Sequence, residues 1–332
     1  MKKTVVYMLV ISLLLTMAPI VKAMVLTVEA SQAEVMKQKG NLEGRSAGGC
    51  IQETKGEKVI EWCWTAGDGI AGVKGYRTLW SAGKKPKKTE LQINKGSKYA
   101  DNCTAVAGVW EEKDGTLYLL CNNKKRSLLT YIVASKKGKV LREGRVDFAK
   151  IFGKAPATFY VDKKVRLDKK GHIVALYDAK VNGKHQKGML ILQTKKGKCT
   201  VKELGEGNWC LQDDGTPVLL PEHNLVRIDE GTERFEIYAC HGKALYKIEM
   251  IGDIYKGTIK DENNFEKIST GSIYTADPAI TADRRESDKE YFLNDCCVSG
   301  DETKLYVRYW KGLDDCFEIG DEVYYMVSYE LA

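Results

Sequence analysis

Short runs of apolar residues, each about the length of a β-strand, alternate with turn residues over most of the chain after Cys50. The stretch from Val106 to Val146 shows the pattern most completely, with four apolar runs separated by three turns. Its first turn, Lys113–Thr116, contains a glycine, which can adopt the positive φ that tight hairpins require. The stretch therefore predicts a unit of four short antiparallel strands.

The turn sequences of this unit recur further along the chain. Lys195–Lys198 repeats Lys136–Lys139 residue for residue, and Asp213–Thr216 resembles Lys113–Thr116. Turns of the first kind are centred on Gly115, Gly171 and Gly215, and Asp301-Glu302 begins another; a degenerate unit, Ile254–Tyr274, is expected between the last two. Four-stranded units that recur at a period of about 40 to 59 residues are typical of propeller blades. We predict an all-β, β-propeller-like domain of about six four-stranded blades over residues 50–332.

At fold level the chain resembles exported bacterial β-propeller proteins whose blades carry a loose Asp-Gly hairpin before a strand, as at Asp114-Gly115 and Asp214-Gly215. The resemblance covers roughly residues 50–331 and implies a fold without any functional residue. The Gly-His and Trp-Asp pairs of WD40 blades and the regular glycines of kelch blades are absent. The alternative is two β-sandwich domains divided near Asn208, since such domains use the same strands and turns.

The N-terminal segment is typical of a secretory signal. Lysines precede an apolar run, Val5–Ile20, and small residues follow as far as Ala23. This predicts a signal peptide over residues 1–23, with Ala30 as a second candidate cleavage position. The run is shorter than the ~20 residues that span a bilayer. We expect a secreted, extracellular product without an integral membrane span after signal removal, in which residues 24–49 form a linker or short helix.

Ten cysteines in an exported chain indicate disulfide bonds rather than a metal site, because no Cys-x-x-Cys spacing occurs. The ten are Cys50, Cys63, Cys103, Cys121, Cys199, Cys210, Cys240, Cys296, Cys297 and Cys316. Strands adjacent in sequence pair within a blade, so near neighbours are expected to bond. The predicted pairs are Cys50–Cys63, Cys103–Cys121, Cys199–Cys210, and Cys240 with Cys296 or Cys297, with Cys297–Cys316 preferred for the last pair.

The net charge of the chain is +7, but the charged residues are distributed unevenly along it. From Asp253 to Ala332 the chain has 9 basic and 18 acidic residues, so the preceding part is strongly basic. Lysine pairs on hairpin turns are typical of solvent-exposed positions. A second interpretation is a basic face that attracts an anionic envelope polymer or surface glycan.

No local motif predicts catalysis. The four histidines, His172, His185, His223 and His241, lie in or beside turns without the spacing of a metal site, and neither a Gly-x-Ser-x-Gly elbow nor a P-loop occurs. No catalytic, cofactor-binding or metal-binding residue is assigned from the sequence. Two carboxylates from distant blades could still form a glycosidase pair without leaving a local motif.

Tryptophans are the candidate binding residues. Trp62 and Trp64 alternate with Cys63 along one strand, and Trp80 lies on the next strand. Such residues either pack between blades or form a stacking surface for sugar rings. We predict a non-enzymatic exported binding or scaffold protein that presents blade loops to an extracellular glycan, envelope polymer or protein, with no nucleic-acid partner and no cofactor. The alternative is a propeller-type carbohydrate hydrolase or lyase that uses paired carboxylates.

Overall fold

The computed structural model is a ring of antiparallel β-sheets. It describes residues 23–28, 48–54, 58–66, 72–81, 87–93, 96–125, 127–220, 227–228, 232–233, 236–249, 254–259, 261–269, 291–299, 301–311 and 323–331. The predicted signal peptide lies outside this part of the chain except for Ala23. Within it, no helix is long and apolar enough to cross a membrane.

Six blades follow one another along the chain. Blade 1 contains β2 (Gly48–Thr54), β3 (Lys58–Ala66), β4 (Val73–Ser81) and β5 (Lys87–Ile93). Blade 2 contains β6 (Cys103–Glu111), β7 (Leu117–Asn123), β8 (Leu128–Ala134) and β9 (Val140–Asp147). Blade 3 contains β10 (Thr158–Val161), β11 (Arg166–Leu167), β12 (Ile173–Val181), β13 (Lys184–Gln193) and β14 (Lys198–Glu203).

The second half of the ring is built in the same way. Blade 4 contains the pairs β15 (Asn208–Leu211) with β16 (Pro217–Leu220) and β17 (Arg227–Ile228) with β18 (Thr232–Glu233). Blade 5 contains β19 (Glu236–His241), β20 (Ala244–Glu249), β21 (Ile254–Thr258) and β22 (Asp261–Ser269). Blade 6 contains β23 (Tyr291–Val298), β24 (Lys304–Lys311) and β25 (Val323–Glu330), together with β1 (Ala23–Val28).

Contacts between the blades close the ring. The inner strands of blades 1 to 3 contact one another in turn, β2 with β6 and β6 with β10. Blade 3 contacts blade 4 through β12 and β15, and the inner strands of blades 4 to 6 again contact one another in turn, β15 with β19 and β19 with β23. Because β23 also touches β2, the last blade meets the first. The Lys164 amine, from blade 3, donates to the Cys296 carbonyl of blade 6 at 3.2 Å, so it reaches across the interior of the ring. The predicted six-bladed propeller is confirmed, and two separate sandwiches would not give these contacts.

Strand β1 supplies the fourth strand of blade 6. It pairs antiparallel with β25 in a continuous register from Ala23 opposite Tyr329 to Val28 opposite Tyr324. Residues 24–28 therefore form a strand, which differs from the linker or short helix expected over residues 24–49. The reason is that the outer edge of β25 offers unpaired backbone groups, and these pair with a chain segment of any moderately apolar sequence.

Apolar layers fill the spaces between adjacent blades. Alternate residues of β7 face opposite sides, so Leu117 and Leu119 join the layer between blades 1 and 2, whereas Tyr118 and Leu120 join the layer between blades 2 and 3. A strand buried on both faces is usually a near-continuous apolar run, which explains Leu117–Cys121. Equivalent layers lie between blades 3 and 4 and between blades 4 and 5.

The boundary between blades 4 and 5 differs from the one expected. The sequence pattern places residues 235–239 at the end of the fourth unit, yet β19 is the first strand of blade 5 and its hairpin turn contains Gly242. Blade 4 is short because β17 and β18 have two residues each. The glycines of the first turns of blades 4 and 5, Gly215 and Gly242, are consequently only 27 residues apart, whereas Gly171 and Gly215 are 44 residues apart.

Candidate functional site

The two ends of the propeller carry different kinds of connection. In a four-stranded antiparallel sheet, the turns joining strands one to two and three to four lie at the same end. This end is called the hairpin end; it includes the turns at residues 112–116, 135–139, 168–172, 193–198, 212–216 and 299–303. A Cβ added at Gly115 would lie 2.8 Å from Lys136 Cβ, which confirms that the first and third turns of blade 2 are neighbours. The opposite end carries the remaining loops and is called the cleft end.

A cleft of about 370 Å³ lies at the cleft end between blades 3 and 4. Blade 3 lines it with Tyr160, Val161, Asp162, Leu176, Tyr177, Asp178, Lys187 and Gly188, and blade 4 with Gly207, Asn208, Trp209 and Leu220. Its volume is within the range of ~300–1,000 Å³ that is usual for small-ligand sites. The cleft borders the layer formed by Leu176, Met189 and Leu211, and Leu176 belongs to both.

Strand pairing brings the polar groups of blade 3 onto the wall of the cleft. In the β10–β12 register Tyr160 lies opposite Asp178, and the Asp162 amide donates to the Leu176 carbonyl at 2.9 Å. Residues opposite each other in an antiparallel pair share a face, as do residues two apart on one strand. Tyr160, Asp162 and Asp178 therefore lie on the face of blade 3 that carries Leu176, toward blade 4.

Two aromatic side chains bound the cleft. Tyr160 is 65% exposed, which is unusual for a tyrosine within a strand. Trp209 packs partly against Leu176, Met189 and Leu211, and its buried Nε1–H has no hydrogen-bond acceptor among the residues that the structure describes. A buried indole N–H normally has a partner, so this donor is unsatisfied among the described residues.

The carboxylates of the cleft keep acceptor capacity. Asp162 accepts one hydrogen bond from the Lys164 backbone amide at 2.7 Å, and Asp178 Oδ1 lies 3.5 Å from Nδ1 of the exposed His185. Lys187 lies opposite Asp178 in the β12–β13 pair, but its amine donates to the Gly207 carbonyl at 2.9 Å. A carboxylate has about four lone-pair sites, so each aspartate can accept further hydrogen bonds from a ligand.

A stack of rings on the other face of β12 supports the cleft wall. Tyr177 and Phe159 stack with ring centroids 5.6 Å apart, and Phe159 stacks on Phe148 at 3.7 Å. Phe148 begins α1 (Phe148–Phe152), which is capped by the Asp147 side chain. Burial raises the pKa of the Tyr177 phenol to about 12, so this residue stays neutral. The wall is held by ring packing on the face of β12 away from blade 4, and Tyr177 belongs both to this stack and to the cleft lining.

Aspartates in the first turns of the hairpin end accept hydrogen bonds from their own turns. In blades 2 and 4 an aspartate accepts a hydrogen bond from the threonine amide two residues later, at 2.8 Å from Asp114 and 3.0 Å from Asp214. In blade 6, Asp301 accepts a hydrogen bond from the Thr303 amide at 3.1 Å. Hydrogen bonds from Ser299 and Thr303 lower the pKa of Asp301 to about 2. These carboxylates stabilise turns.

Charged groups at the hairpin end connect blades 3 to 6. Arg166 Nε lies 3.7 Å from Asp213 Oδ1, and Asp213 Oδ2 lies 2.5 Å from His241 Nδ1, an ion-pair distance without hydrogen-bond alignment at the ring. His241 Nε2 is 3.9 Å from Glu302 Oε1. Glu302 has φ 58°, at the turn position that Gly115 and its counterparts occupy elsewhere. The row links adjacent blades, and none of its members lines the cleft.

Of the predicted binding tryptophans, Trp80 is not available to a ligand, because it is 2% exposed and belongs to the core. The side chains of Trp62 and Trp64 lie outside the described part of the structure. Tyr160 was not singled out from the sequence. Its local signal, an aromatic residue in a short strand followed by Asp162, is the same for an exposed and a buried position.

The disulfide prediction was correct in kind and wrong in pairing where it is tested. Cys210 bonds to Cys240, which joins β15 of blade 4 to β19 of blade 5. This excludes the predicted Cys199–Cys210 pair and a bond from Cys240 to Cys296 or Cys297. The physical reason is that inner strands of adjacent blades lie side by side around the ring, so the nearest cysteine belongs to the next blade. Cys316 and the side chains of Cys50 and Cys63 lie outside the described residues.

The remaining described cysteines are buried to different extents. Cys103 and Cys121 are buried thiols in the layer between blades 1 and 2. Their mutual hydrogen bond lowers the pKa of Cys103 and raises that of Cys121. They are neighbours, as predicted, but without a bond. Burial raises the pKa of Cys199 to about 12, so that thiol is unreactive at neutral pH.

Each described histidine lies beside at least one carboxylate. His172 Nδ1 is 2.9 Å from Asp168, and His185 and His241 lie beside Asp178 and Asp213. His223 falls outside the described residues. Over the described ranges, no group of three histidine, cysteine or carboxylate side chains is placed to hold a metal ion.

Neither a protein-family model nor a curated protein matches the sequence. Among solved structures, a GH43 β-1,3-galactosidase is similar at 10% identity over 85% of this chain and 89% of that one, with a TM-score of 0.40. The β-propeller domain of the trilobed protease from Pyrococcus furiosus is similar at 10% identity over 84% of this chain and 93% of that one, with a TM-score of 0.41. A polysaccharide lyase is similar at 10% identity over 94% of this chain and 98% of that one, with a TM-score of 0.42. Similarity at this level does not bear on the chemistry of the cleft.

Proposed function

We propose that the protein is a carbohydrate-binding propeller that holds an extracellular oligosaccharide in the cleft between blades 3 and 4. The observation that carries the proposal is the exposed Tyr160 ring beside the carboxylates of Asp162 and Asp178. A sugar ring has an apolar face of C–H groups and a rim of hydroxyls. It requires an aromatic surface and hydrogen-bond acceptors side by side, and this wall offers both.

The blade 4 wall completes the recognition. Trp209 offers a buried N–H donor, and Asn208 offers both a donor and an acceptor. A sugar hydroxyl both donates and accepts hydrogen bonds. The aspartates can accept from it, and the Trp209 N–H and the Asn208 amide can donate to it. Leu176 and Leu220 exclude water from the floor, which strengthens each polar contact made above them.

The test is binding of soluble oligosaccharides of β-linked glucose, galactose, xylose and arabinose, measured by calorimetry. Tyr160→Ala should weaken the best ligand by about tenfold or more, since stacking on an aromatic ring contributes roughly 1–2 kcal/mol. Leu141→Ala is the matched control, because Leu141 is also an exposed large apolar residue, at 49%, but lies outside the cleft. Equal affinity of both variants, or no binding of any of these sugars by the wild type, would contradict the proposal.

Hydrolysis of the bound glycan is a second candidate, favoured by one observation. Asp162 and Asp178 are diagonal neighbours across β10 and β12, and such pairs have side chains roughly 7–8 Å apart. Inverting glycosidases place their two carboxyl groups about 6.5–9.5 Å apart. Release of reducing ends from a bound oligosaccharide, lowered about 100-fold or more by Asp162→Asn and by Asp178→Asn, would establish catalysis. Binding without product release would leave the protein a lectin-like binder.

A further inference from the structure

The hairpin end has a basic surface on the side of blades 2 and 3 that the cleft does not use. The third turns of these blades, at residues 135–139 and 193–198, carry the repeated Lys-Lys-Gly-Lys sequence, and their first turns add three more lysines. This surface is called the lysine rim; it comprises Lys113, Lys136, Lys137, Lys139, Lys169, Lys170, Lys195, Lys196 and Lys198, all of which are exposed.

The two lysine-rich turns are held close together by the packing of the blades. The Tyr131 hydroxyl of blade 2 donates to the Thr194 carbonyl at the third turn of blade 3, at 3.4 Å, and a Cβ at Gly197 would meet the same hydroxyl. Blade 2's own third turn lies against its first turn through Gly115 and Lys136. The rim is therefore one continuous arc fixed by the fold, and its lysines are not scattered over the molecule.

The positive charge of the rim is largely uncompensated. Of its nine amines, only that of Lys169 has an ion-pair partner in the described part of the chain, Asp214 at 3.9 Å. The four turns of the rim also contain three carboxylates, Glu112, Asp114 and Asp168, so nine lysines leave a net charge of +6. A net charge of this size on one surface produces a field that extends beyond it.

We propose that the lysine rim is a second interaction surface, which binds an anionic polysaccharide bearing carboxylate or sulfate groups. Lysine presents a strongly hydrated point charge, which suits single anionic groups spaced along a flexible chain. Bidentate recognition of phosphate favours arginine, and the rim contains none. The rim turns contain no aromatic residue, whereas single-stranded nucleic acids are bound through base stacking. Beside the rim, Leu141 is an isolated exposed leucine, too little apolar surface for insertion into a membrane.

The rim and the cleft are on opposite ends of the ring, so they can be occupied at the same time. The cleft holds one or a few sugar units by shape and stacking, and the rim attracts a long polyanion by charge. The rim proposal is independent of the cleft, because Tyr160→Ala changes no residue of the rim and should leave its binding unchanged.

The experiment uses the full chain with heparin and polygalacturonate as probes and compares two fourfold charge reversals. Lys136→Glu, Lys137→Glu, Lys195→Glu and Lys196→Glu together change the rim. The matched control reverses four exposed lysines at the cleft end, Lys98, Lys125, Lys154 and Lys184, and so changes net charge equally. The rim variant should lose about tenfold or more in affinity at 0.15 M salt, and the control should stay within about twofold.

Wild-type affinity for both probes should also fall steeply between 0.05 and 0.3 M salt, since exposed charges are screened over ~8 Å at 0.15 M. Equal losses in both variants would overturn the proposal, because net charge and not the rim would then decide binding. Salt-insensitive binding would overturn it as well. Tighter binding of an oligonucleotide, or of phosphatidylserine vesicles, than of either polysaccharide would show that the rim belongs to a different class of partner.

Discussion

The hairpin end and the cleft end of this propeller are made by the same blades, yet they use their polar residues differently. At the hairpin end, aspartates such as Asp114 and Asp214 accept hydrogen bonds from their own turns. At the cleft end, Asp178 meets one exposed histidine, and the N–H of Trp209 has no acceptor among described residues. The repeated turns of the hairpin end hold their aspartates by local hydrogen bonds and present lysines at the surface, whereas the irregular loops of the cleft end leave Asp178 with acceptor capacity for a ligand. Repetition therefore marks the turns and their lysines, and departure from repetition marks the cleft.

The largest effect on this comparison should come from the disulfide beside the cleft. Cys210 follows Trp209 directly, and the bond to Cys240 closes a loop of sequence separation 30. Cys210→Ser with Cys240→Ser should lower the free energy of unfolding by about 3 kcal/mol in the chain-entropy model. It should also weaken oligosaccharide binding, because Trp209 loses its fixed position. Urea unfolding and calorimetry measure the two effects.

The control for that experiment is Cys199→Ala, which removes a partly buried thiol without breaking a bond. It should leave oligosaccharide binding unchanged. Non-reducing peptide mapping should recover the 210–240 linkage. A peptide joining residues 199 and 210 would contradict the assignment of these strands to adjacent blades.

The next effect separates the two ends directly. Asp214→Ala removes an acceptor that holds a hairpin turn, so it should lower stability by about 1 kcal/mol without changing affinity for the oligosaccharide. Asp178→Ala at the cleft end should do the reverse: it should lower affinity and leave the urea midpoint nearly unchanged. The comparison would be broken if both variants lost stability and binding to the same extent.

How much the sequence could predict follows the same division. The first turns at Gly115, Gly171 and Gly215 are recognisable because each turn is formed by its own few residues, and all three have positive φ. The blade count followed from their recurrence. The Cys210–Cys240 bond was not predictable in this way, since it depends on which blades become neighbours when the ring closes.

Two further features escaped sequence analysis for physical reasons. Tyr160 and the buried Tyr118 both lie in strands with alternating neighbours, and their exposures of 65% and 7% are decided by whether the next blade covers them. The boundary of blade 5 was misplaced because β17 and β18 are too short to leave an apolar run. Local chemistry predicts turns, whereas packing between blades decides exposure.

A smaller effect concerns the turn of blade 6, where Glu302 occupies the position of a glycine. Its φ of 58° costs a non-glycine residue about 1 kcal/mol, and its contact with His241 is long and partly exposed. Glu302→Gly should therefore raise the free energy of unfolding by somewhat less than 1 kcal/mol. Gly215→Ala is the opposite control: with φ 79° and a Cβ that would lie 3.2 Å from Val174 Cγ2, it should destabilise by about 1–2 kcal/mol. A destabilised Glu302→Gly variant would show that the row from Arg166 to Glu302 contributes more than the backbone strain.

The smallest effect is the pH dependence of the stability that Asp301 contributes at the hairpin end. Hydrogen bonds from Ser299 and Thr303 hold the pKa of Asp301 at about 2, below its ordinary value of 3.8. A carboxyl with a lowered pKa in the folded state stabilises the protein above its unfolded pKa, and that contribution is lost as the pH falls through the folded pKa. The stability difference between wild type and Asp301→Asn should therefore be constant from pH 7 to about pH 5, shrink below pH 4, be small at pH 2 and vanish near pH 1. Urea midpoints of the two proteins at pH 7, 5, 4, 3 and 2 measure it. A difference that persists unchanged at pH 2 would mean that the asparagine acts by altered packing and that the ionised carboxylate contributes nothing to the turn.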